Sequence, residues 1–507
     1  SETKNTYLSN LSGYNISAPI LYRHSFLKKG RTLSVNLNPS INANNGNGNL
    51  LSINNYYDDT LNVYDTIDQR SFIVKSGYSS YGNITFTEAF GKKHFVSLNI
   101  SNTYNYSESD KNTFSKSNVA NDYTIKDSIV SNSFNNTYLA NLAGISYRFN
   151  QEKTTISFGV NAQEAYLNKN QFFPRAYSSG KIFTSILPNG MFMYRFSKQN
   201  NFRMFYRSSN NPPSIDQMQD VLNNSNTLQL SIGNPNLKQN FQHNLNIRFS
   251  GVNTLKSTAS FILLSGTYTD NYIGNSTIIA NNDTVVYSKI FLAKGSQISR
   301  PENLNNYYTL RFFANYSFPA KLLKSNINLS AGCNYNNIPA LINNELNYSN
   351  TTSPNFGAVI SSNFSEKVDF TLSSNTSYNS VVNSLQKNLN SNFINQSSKA
   401  KVNLTIAKKL VLQAEYNHVL NGGLSSTFNQ NISLLNAAIA FKFLKDNKGE
   451  LRLFAFDILN QNRSIQRNVT ETYIEDTRTT ILQRYFMLTF TYNFKNYFKK
   501  DEGGKGK

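Results

Sequence analysis

Leu310-Arg311-Phe312-Phe313-Ala314-Asn315-Tyr316-Ser317-Phe318 is followed, past Pro319-Ala320-Lys321, by Asn326-Ile327-Asn328-Leu329-Ser330-Ala331-Gly332-Cys333-Asn334-Tyr335. In the first run Leu310, Phe312, Ala314, Tyr316 and Phe318 share one side, while Arg311, Phe313, Asn315 and Ser317 share the other. In the second, Ile327, Leu329, Ala331, Cys333 and Tyr335 alternate with asparagine, serine and glycine. Successive strand side chains point to opposite faces, so this period of two predicts strands with one apolar and one polar face. Soluble strands keep such a pattern for roughly 5–6 residues. Here it lasts about ten, the length a tilted strand needs to cross a bilayer. The unit reads as a membrane hairpin with Pro319 to Lys324 at its turn. Phe312, Phe318 and Cys333 are expected to face lipid, and Arg311 and Asn328 water.

The same unit recurs along the chain. Tyr14 to Phe26 is the first expected strand, turning at Leu27-Lys28-Lys29-Gly30. Leu33, Val35, Leu37 and Ile41 follow, with Pro39 expected at a bulge because it cannot donate to a ladder. Ile84 and Phe86 approach a turn at Gly91 to His94, and Val96, Leu98 and Ile100 leave it. Ile145, Tyr147 and Phe149 lead to Gln151-Glu152-Lys153, then Ile156, Phe158 and Val160. Met191 and Met193, with Tyr194 as a further candidate, approach the turn at Ser197 to Asn201, and Phe202, Met204 and Tyr206 leave it. Leu245, Ile247 and Phe249 run to a turn at Gly251-Val252-Asn253, from which Ala259, Phe261 and Leu263 return on the apolar face. Further hairpins turn at Ser365-Glu366-Lys367, Ala407-Lys408-Lys409 and Lys445 to Gly449, and Phe486 to Phe494 is a last strand. Between hairpins lie long polar stretches, 42–59, 107–133 and 208–239, read as loops. Nine hairpins and one last strand make about 19 strands. Short turns alternating with long loops are the pattern of an outer-membrane barrel.

Composition agrees. Only 39% of residues are hydrophobic and the mean hydropathy is −0.45, with no run of about 18 apolar residues to form a spanning helix. Yet 31 Tyr and 36 Phe are too many for a disordered polar chain. The net charge of +20 is spread over short turns and polar faces rather than gathered on one stripe, which argues against nucleic acid. Cys333, the sole cysteine, allows no disulfide within the chain and sits on an apolar face as a small hydrophobe. The first residues carry no secretory signal, so the reading expects either a removed signal or an upstream part.

No catalytic constellation stands out, and neither enzyme activity nor a cofactor is expected. His24, His94, His243 and His418 lack metal-ligand spacing. Glu108 and Asp110 beside Lys111, and Asp216 near Asp220, read as solvated loop charges. Arg148, Arg203, Arg207, Arg248 and Arg311 fall on polar faces, where each is a candidate contact to a plug or an anionic substrate through bidentate hydrogen bonds. Solvation and pairing across strands is the plainer role for all five.

Two stretches are more specific than periodicity. Phe202-Arg203-Met204-Phe205-Tyr206-Arg207, then Asn211-Pro212-Pro213-Ser214 and Gly233-Asn234-Pro235-Asn236-Leu237-Lys238, resemble the aromatic-Arg strand end, Pro-Ser step and next-strand start of TonB-dependent outer-membrane receptors. The usual Pro-Glu after that lysine is here Gln239-Asn240. Phe456-Asp457-Ile458-Leu459-Asn460-Gln461-Asn462, Arg484 to Leu488 and Thr491-Tyr492-Asn493-Phe494 are similar to the closing strands of the related Bacteroidota barrel family. The resemblance implies a Gram-negative outer membrane and an all-β, transmembrane antiparallel barrel of 22 strands, occupying 1–497 ahead of a polar tail, 498–507. On that frame the chain holds strands 4 to 22, and Leu310 to Tyr335 are strands 14 and 15. A plug, an energy-coupling box and three strands would then precede Ser1.

The function implied is uptake of a substrate that no loop motif identifies. The implied partners are membrane lipid and lipopolysaccharide, the TonB system acting through a plug, and a surface lipoprotein. The alternative is a porin-like pore without a plug, or an adhesive scaffold. The loop from Pro212 and Pro213 to Lys238 either touches ligand or is structural, its prolines ending one strand and starting the next.

Overall fold

A computed structural model describes residues 2–494 apart from 58–61, 118, 219, 221, 225, 227, 288–289, 363–366, 424–428, 470–473 and 480. The expected tail, 498–507, lies outside the described residues. The chain is nearly all β: a 24-stranded sheet, two two-stranded pieces, and little helix beyond the single turn Ile215–Met218. Among the described residues the expected strands are all present, which gives the expected 19, while Ser365 and Glu366 of the turn expected at Ser365-Glu366-Lys367 lie outside the described residues. The further segments are strand interruptions, such as that between Glu2–Ser17 and Ile20–Ser25, and short strands in long connections. Two compact units are distinguished: Ser1–Arg248, Leu264–Leu310 and Asn336–Ser349; and Phe249–Leu263, Arg311–Tyr335 and Asn350–Lys507.

In the first unit the strands are far longer than a crossing requires. Thr32–Tyr57 and Asn62–Phe90 pair in unbroken antiparallel register from Thr32↔Thr87 to Tyr57↔Asn62. Asn62–Phe90 also pairs His94–Lys116, which pairs Asn132–Asn150. The stretches 42–57 and 107–116, expected as loops, are therefore strand. Their sequences do not alternate because alternation needs lipid on one side; past the bilayer one face meets water and the other is partly covered, with Leu50, Ser52, Ser109 and Thr113 buried. Hydrogen bonds across the ladder hold them instead. Glu108, Asp110 and Lys111 are correspondingly strand residues, the carboxylates on one face and the ammonium on the other.

Pro39 forms no bulge. It stays in register opposite Ser80, and its carbonyl accepts from Ala18 N at 3.1 Å. Its missing N–H faces the gap between Glu2–Ser17 and Ile20–Ser25, so the neighbouring strand is interrupted, not its own.

Two strands carry the opposite phase to the expected one. Ile156 and Phe158 set the apolar face of Thr154–Phe173, and the register Ile156↔Phe192 and Thr154↔Tyr194 puts Phe192 and Tyr194 there. Met191 and Met193 turn to the polar face with Asn189. On Thr258–Asp270, Thr267 Oγ1 donates to Asn244 Oδ1 at 2.8 Å, fixing odd-numbered residues on the polar face. Ile262 and Leu264 are exposed on the apolar one, displacing Ala259, Phe261 and Leu263. Both errors sit in continuous apolar runs, Met191 to Tyr194 and Phe261 to Leu264, where a period of two has no phase to read. The turn expected at Gly251 to Asn253 falls at 254–257. In a Cys333→Ser background, Met193→Cys should react with a membrane-impermeant maleimide at least about tenfold faster than Phe192→Cys. Equal rates would reverse this phase.

In the second unit the opening hairpin is confirmed by its polar face. Asn315 Nδ2 donates to Asn328 Oδ1 at 2.6 Å, and Asn328 Nδ2 returns a bond to Asn315 Oδ1 at 3.2 Å. Val368–Asn383, Ser391–Ile406, Leu410–Gly422, Gln430–Phe443, Gly449–Phe456 and Tyr485–Tyr492 follow as an antiparallel meander. Aromatic rings collect on the apolar faces just before the short turns. In the first unit Tyr147 lies 5.3 Å from Phe158 and His94 5.3 Å from Phe149. In the second Phe443 lies 6.0 Å from Phe490 and Tyr492 4.6 Å from Phe494. Rings at that level form the girdle of a membrane barrel.

Candidate functional site: a loop docked on the polar face

The strand Asn200–Asn211 ends at Pro212 and Pro213, the latter buried. Ser214 then starts the one-turn helix Ile215–Met218. Its Oγ accepts from Gln217 N at 3.2 Å while Gln217 Oε1 accepts from Ser214 N at 2.9 Å, a reciprocal capping box. From there the connection folds back over the polar face of the neighbouring strands. Met218 and Leu237 are buried with Leu167, and Tyr138, Phe183 and Ile273 pack against them. A second small core, Leu230, Ile232, Ala280, Ile290, Leu292 and Ile298, joins this connection to residues 271–306, and Gln229–Ser231 runs parallel to Gln297–Ser299.

Asn234, 3% exposed, ties these pieces together. Its Nδ2 donates to Pro301 O at 3.0 Å, and its Oδ1 accepts from Arg300 Nη2 at 3.1 Å and Asn236 N at 3.0 Å. Its backbone N donates to Gln217 O at 2.6 Å. Gly233 is buried beside it, Pro235 half-buried. Two lysines of the wall hold the loop from below. Lys181 Nζ donates to the carbonyls of Pro235 and Leu237 at 3.0 and 3.1 Å. Lys169, 4% exposed, donates to Tyr177 Oη at 2.7 Å and Met218 O at 3.1 Å. Lys238 is exposed at its side chain but doubly bonded through its backbone to Asn303. The motif from Gly233 to Lys238 is thus a structural latch.

Two recesses remain on this polar face. The larger, about 1120 Å³, is lined by amides and hydroxyls, among them Asn83, Asn99, Asn161, Asn189 and Asn244, with Arg207 as its cation. The smaller, about 440 Å³, lies where the docked loop meets Lys75, Lys111, Asn132 and Asn275, with Asp216 on the loop side. Within the connection 271–306, the Arg300 guanidinium lies 5.2 Å from the Tyr287 ring, and burial pushes that phenol's pKa up.

The five sequence-derived arginines do not converge. Arg207 lines the larger recess and Arg203 shares its strand face, with its Nε buried and without an acceptor among the described residues. Arg148 lies 4.9 Å from the Phe95 ring. Arg248 closes the first unit's strand on the polar side of Asn244 and Asn246, and Arg311 is exposed in the second unit. Tyr206 points the other way. On the apolar face its hydroxyl bonds His243 Nδ1 at 2.7 Å, and His243 approaches Asp270 at 3.8 Å. Sequence reasoning missed Lys75, Lys169, Lys181 and Arg300. Lysines spaced along Asn- and Ser-rich stretches look like surface charges until a loop is seen to cover them.

A family model described as "Outer membrane protein beta-barrel family" matches residues 24–396 and 343–492. No curated protein matches the sequence. Among solved structures the chain is similar to the copper transporter OprC, at 8% identity and a TM-score of 0.44, covering 96% of this chain and 80% of that one. It is similar to BauA, the ferric preacinetobactin receptor from Acinetobacter baumannii, at 9% identity and a TM-score of 0.42, covering 96% and 79%. FyuA, the ferric yersiniabactin uptake receptor from Yersinia pestis, matches at 7% identity and a TM-score of 0.40, covering 98% and 80%.

Proposed function

Because the chain belongs to the outer membrane protein beta-barrel family, we propose that it is the barrel of a TonB-dependent receptor-like transporter that takes up a polar solute. Its setting is the outer membrane, and the family is one of barrels rather than of enzymes. Residues 1–497 form the barrel and 498–507 a tail on this reading. The observation that carries it is the docked loop. A connection latched onto the polar face by Asn234, Lys169 and Lys181 leaves two recesses rather than a smooth wall, as a binding surface requires and a simple pore does not. Arg203 and Arg207 are the cations placed to meet a ligand. Arg148, Arg248 and Arg311 are each candidate contacts to a plug. Energy comes from the TonB system, and a surface lipoprotein is a candidate partner on the long-loop side.

Planar-bilayer recording of the full-length gene product is the test. A gated transporter should show no steady conductance until its plug is displaced, for instance by denaturant. A steady open channel would support the porin-like alternative and sink this reading.

A further inference from the structure

The short turns of this protein carry more than their share of its basic residues. Among the described residues the short turns are 26–31, 91–93, 151–153, 196–199, 254–257, 321–324, 407–409 and 444–448. They comprise 32 of the 507 residues but hold 14 of the 49 Lys and Arg, against 2 of the 29 Asp and Glu. Each carries at least one lysine. An even spread would put about three basic residues there, so the excess is real and nearly unopposed. The long connections at the opposite strand ends are close to balanced. Within each unit an antiparallel meander puts all short turns at the same strand ends, so each unit has a basic end.

A second observation says what meets it. Leucines stand beside these lysines with nothing packed on them. Leu27 is 108% exposed, Leu255 97% and Leu322 97%. Leu27 belongs to the first unit and the other two to the second. Single exposed leucines are ordinary. Fully exposed ones recurring next to Lys28, Lys256 and Lys321, at the strand ends where the aromatic girdle lies, are not. Apolar side chains reaching into a headgroup layer, with cations beside them, are how an interfacial surface binds an anionic membrane. Backbone geometry adds to this. Lys324 and Lys408 occupy left-handed positions, φ 44° and 61°, where glycine or asparagine would be relaxed. On the first of these turns Lys28 and Arg31 pair with Glu88.

We infer that in each unit the short turns form a docking surface for anionic phospholipid headgroups, with Leu27 in the first unit, and Leu255 and Leu322 in the second, seated at the headgroup–acyl boundary. Electron spin resonance on the whole protein in phosphatidylcholine vesicles, with spin-labelled phosphatidylglycerol or phosphatidylcholine, measures the preference. Phosphatidylglycerol should be favoured at least about threefold at low salt, the preference fading as salt is raised toward about 0.5 M. Changing Lys28, Lys29, Lys92, Lys93, Lys408 and Lys409 to Gln should bring the ratio to about one. If that variant does not fold, each lysine pair changed alone should lower the ratio in part. A ratio near one in the parent, or an unchanged ratio in the folded variants, overturns the inference. The chain contains no tryptophan, so Leu322→Trp is a clean reporter. Its emission should be blue-shifted and quenched by brominated phospholipid. Emission as in water, without quenching, puts the turn outside the headgroup layer and overturns the inference independently.

Discussion

A lysine at Leu329 should cost about 2–4 kcal/mol of folding free energy, whereas a lysine at Asn328 should be mild. Leu329 stands on the apolar face of Ser325–Ile342, 46% exposed, five residues beyond the turn residue Lys324. A strand rising about 3.3 Å per residue and tilted by about 40° climbs roughly 2.5 Å per residue along the membrane normal. Five residues therefore reach about 12 Å, half of an apolar band roughly 25 Å tall, which is the depth where a cation costs most. Asn328 points to the other face, where its amide exchanges hydrogen bonds with Asn315. Replacing it forfeits those bonds, about 1 kcal/mol each, but leaves the new charge in water. Urea unfolding in vesicles, followed by the gel shift between folded and heated protein, gives both numbers. Equal losses at 328 and 329 would mean the facing of this hairpin is wrong.

Asn234→Ala should release the docked loop while the strands stay folded. The side chain makes three hydrogen bonds, one of them accepted from the Arg300 guanidinium. A bond to a charged group contributes about 1.5–3 kcal/mol, and the orphaned groups add their own desolvation cost. The loop's other anchors, which include the Lys169 and Lys181 ammonium groups, the Met218–Leu237 contact, the Lys238–Asn303 bonds and the pairing of Gln229–Ser231 with Gln297–Ser299, do not replace the bonds to residues 300 and 301. Hydrogen exchange of 229–239 should therefore rise by about tenfold or more, and protease should cut 212–239 in the variant first. Strands Asn132–Asn150 and Thr154–Phe173 should exchange as before near their short turn. Unchanged protection of the loop would show that Asn234 is not its latch.

How much of this was legible beforehand depends on what lay beside each strand. Where lipid lies on one side, the sequence alternates, and the short turns, strand count and facing of Leu310 to Tyr335 were readable from spacing alone. Where lipid was absent, as along 42–57 and 107–116, polar residues such as Asn42, Asn44, Asn45 and Asn47 occupy both faces and read as loop, although the ladder continues through them. Where everything is apolar, as at Phe261 to Leu264, strand was evident but phase was not. The docked loop shows a third limit. Gly233 to Lys238 was recognisable as a motif, but its partners, Lys181, Arg300 and Pro301, are 52 or more positions from it in sequence and come together only through the sheet. The five arginines were picked by phase, and phase alone does not say which of them share a recess.

The paired extension of Thr32–Tyr57 and Asn62–Phe90 decides how this protein presents itself to the outside world. Of 26 residues in the first strand, about ten cross the bilayer, so some 16 remain, a rise of roughly 40 Å above the membrane. An antibody or phage fibre arriving there meets a stiff palisade of backbone and asparagine rather than a slack tether. Sera raised against a linear peptide from 40–57 should therefore ignore intact cells, and only reagents selected on the folded protein should stain them.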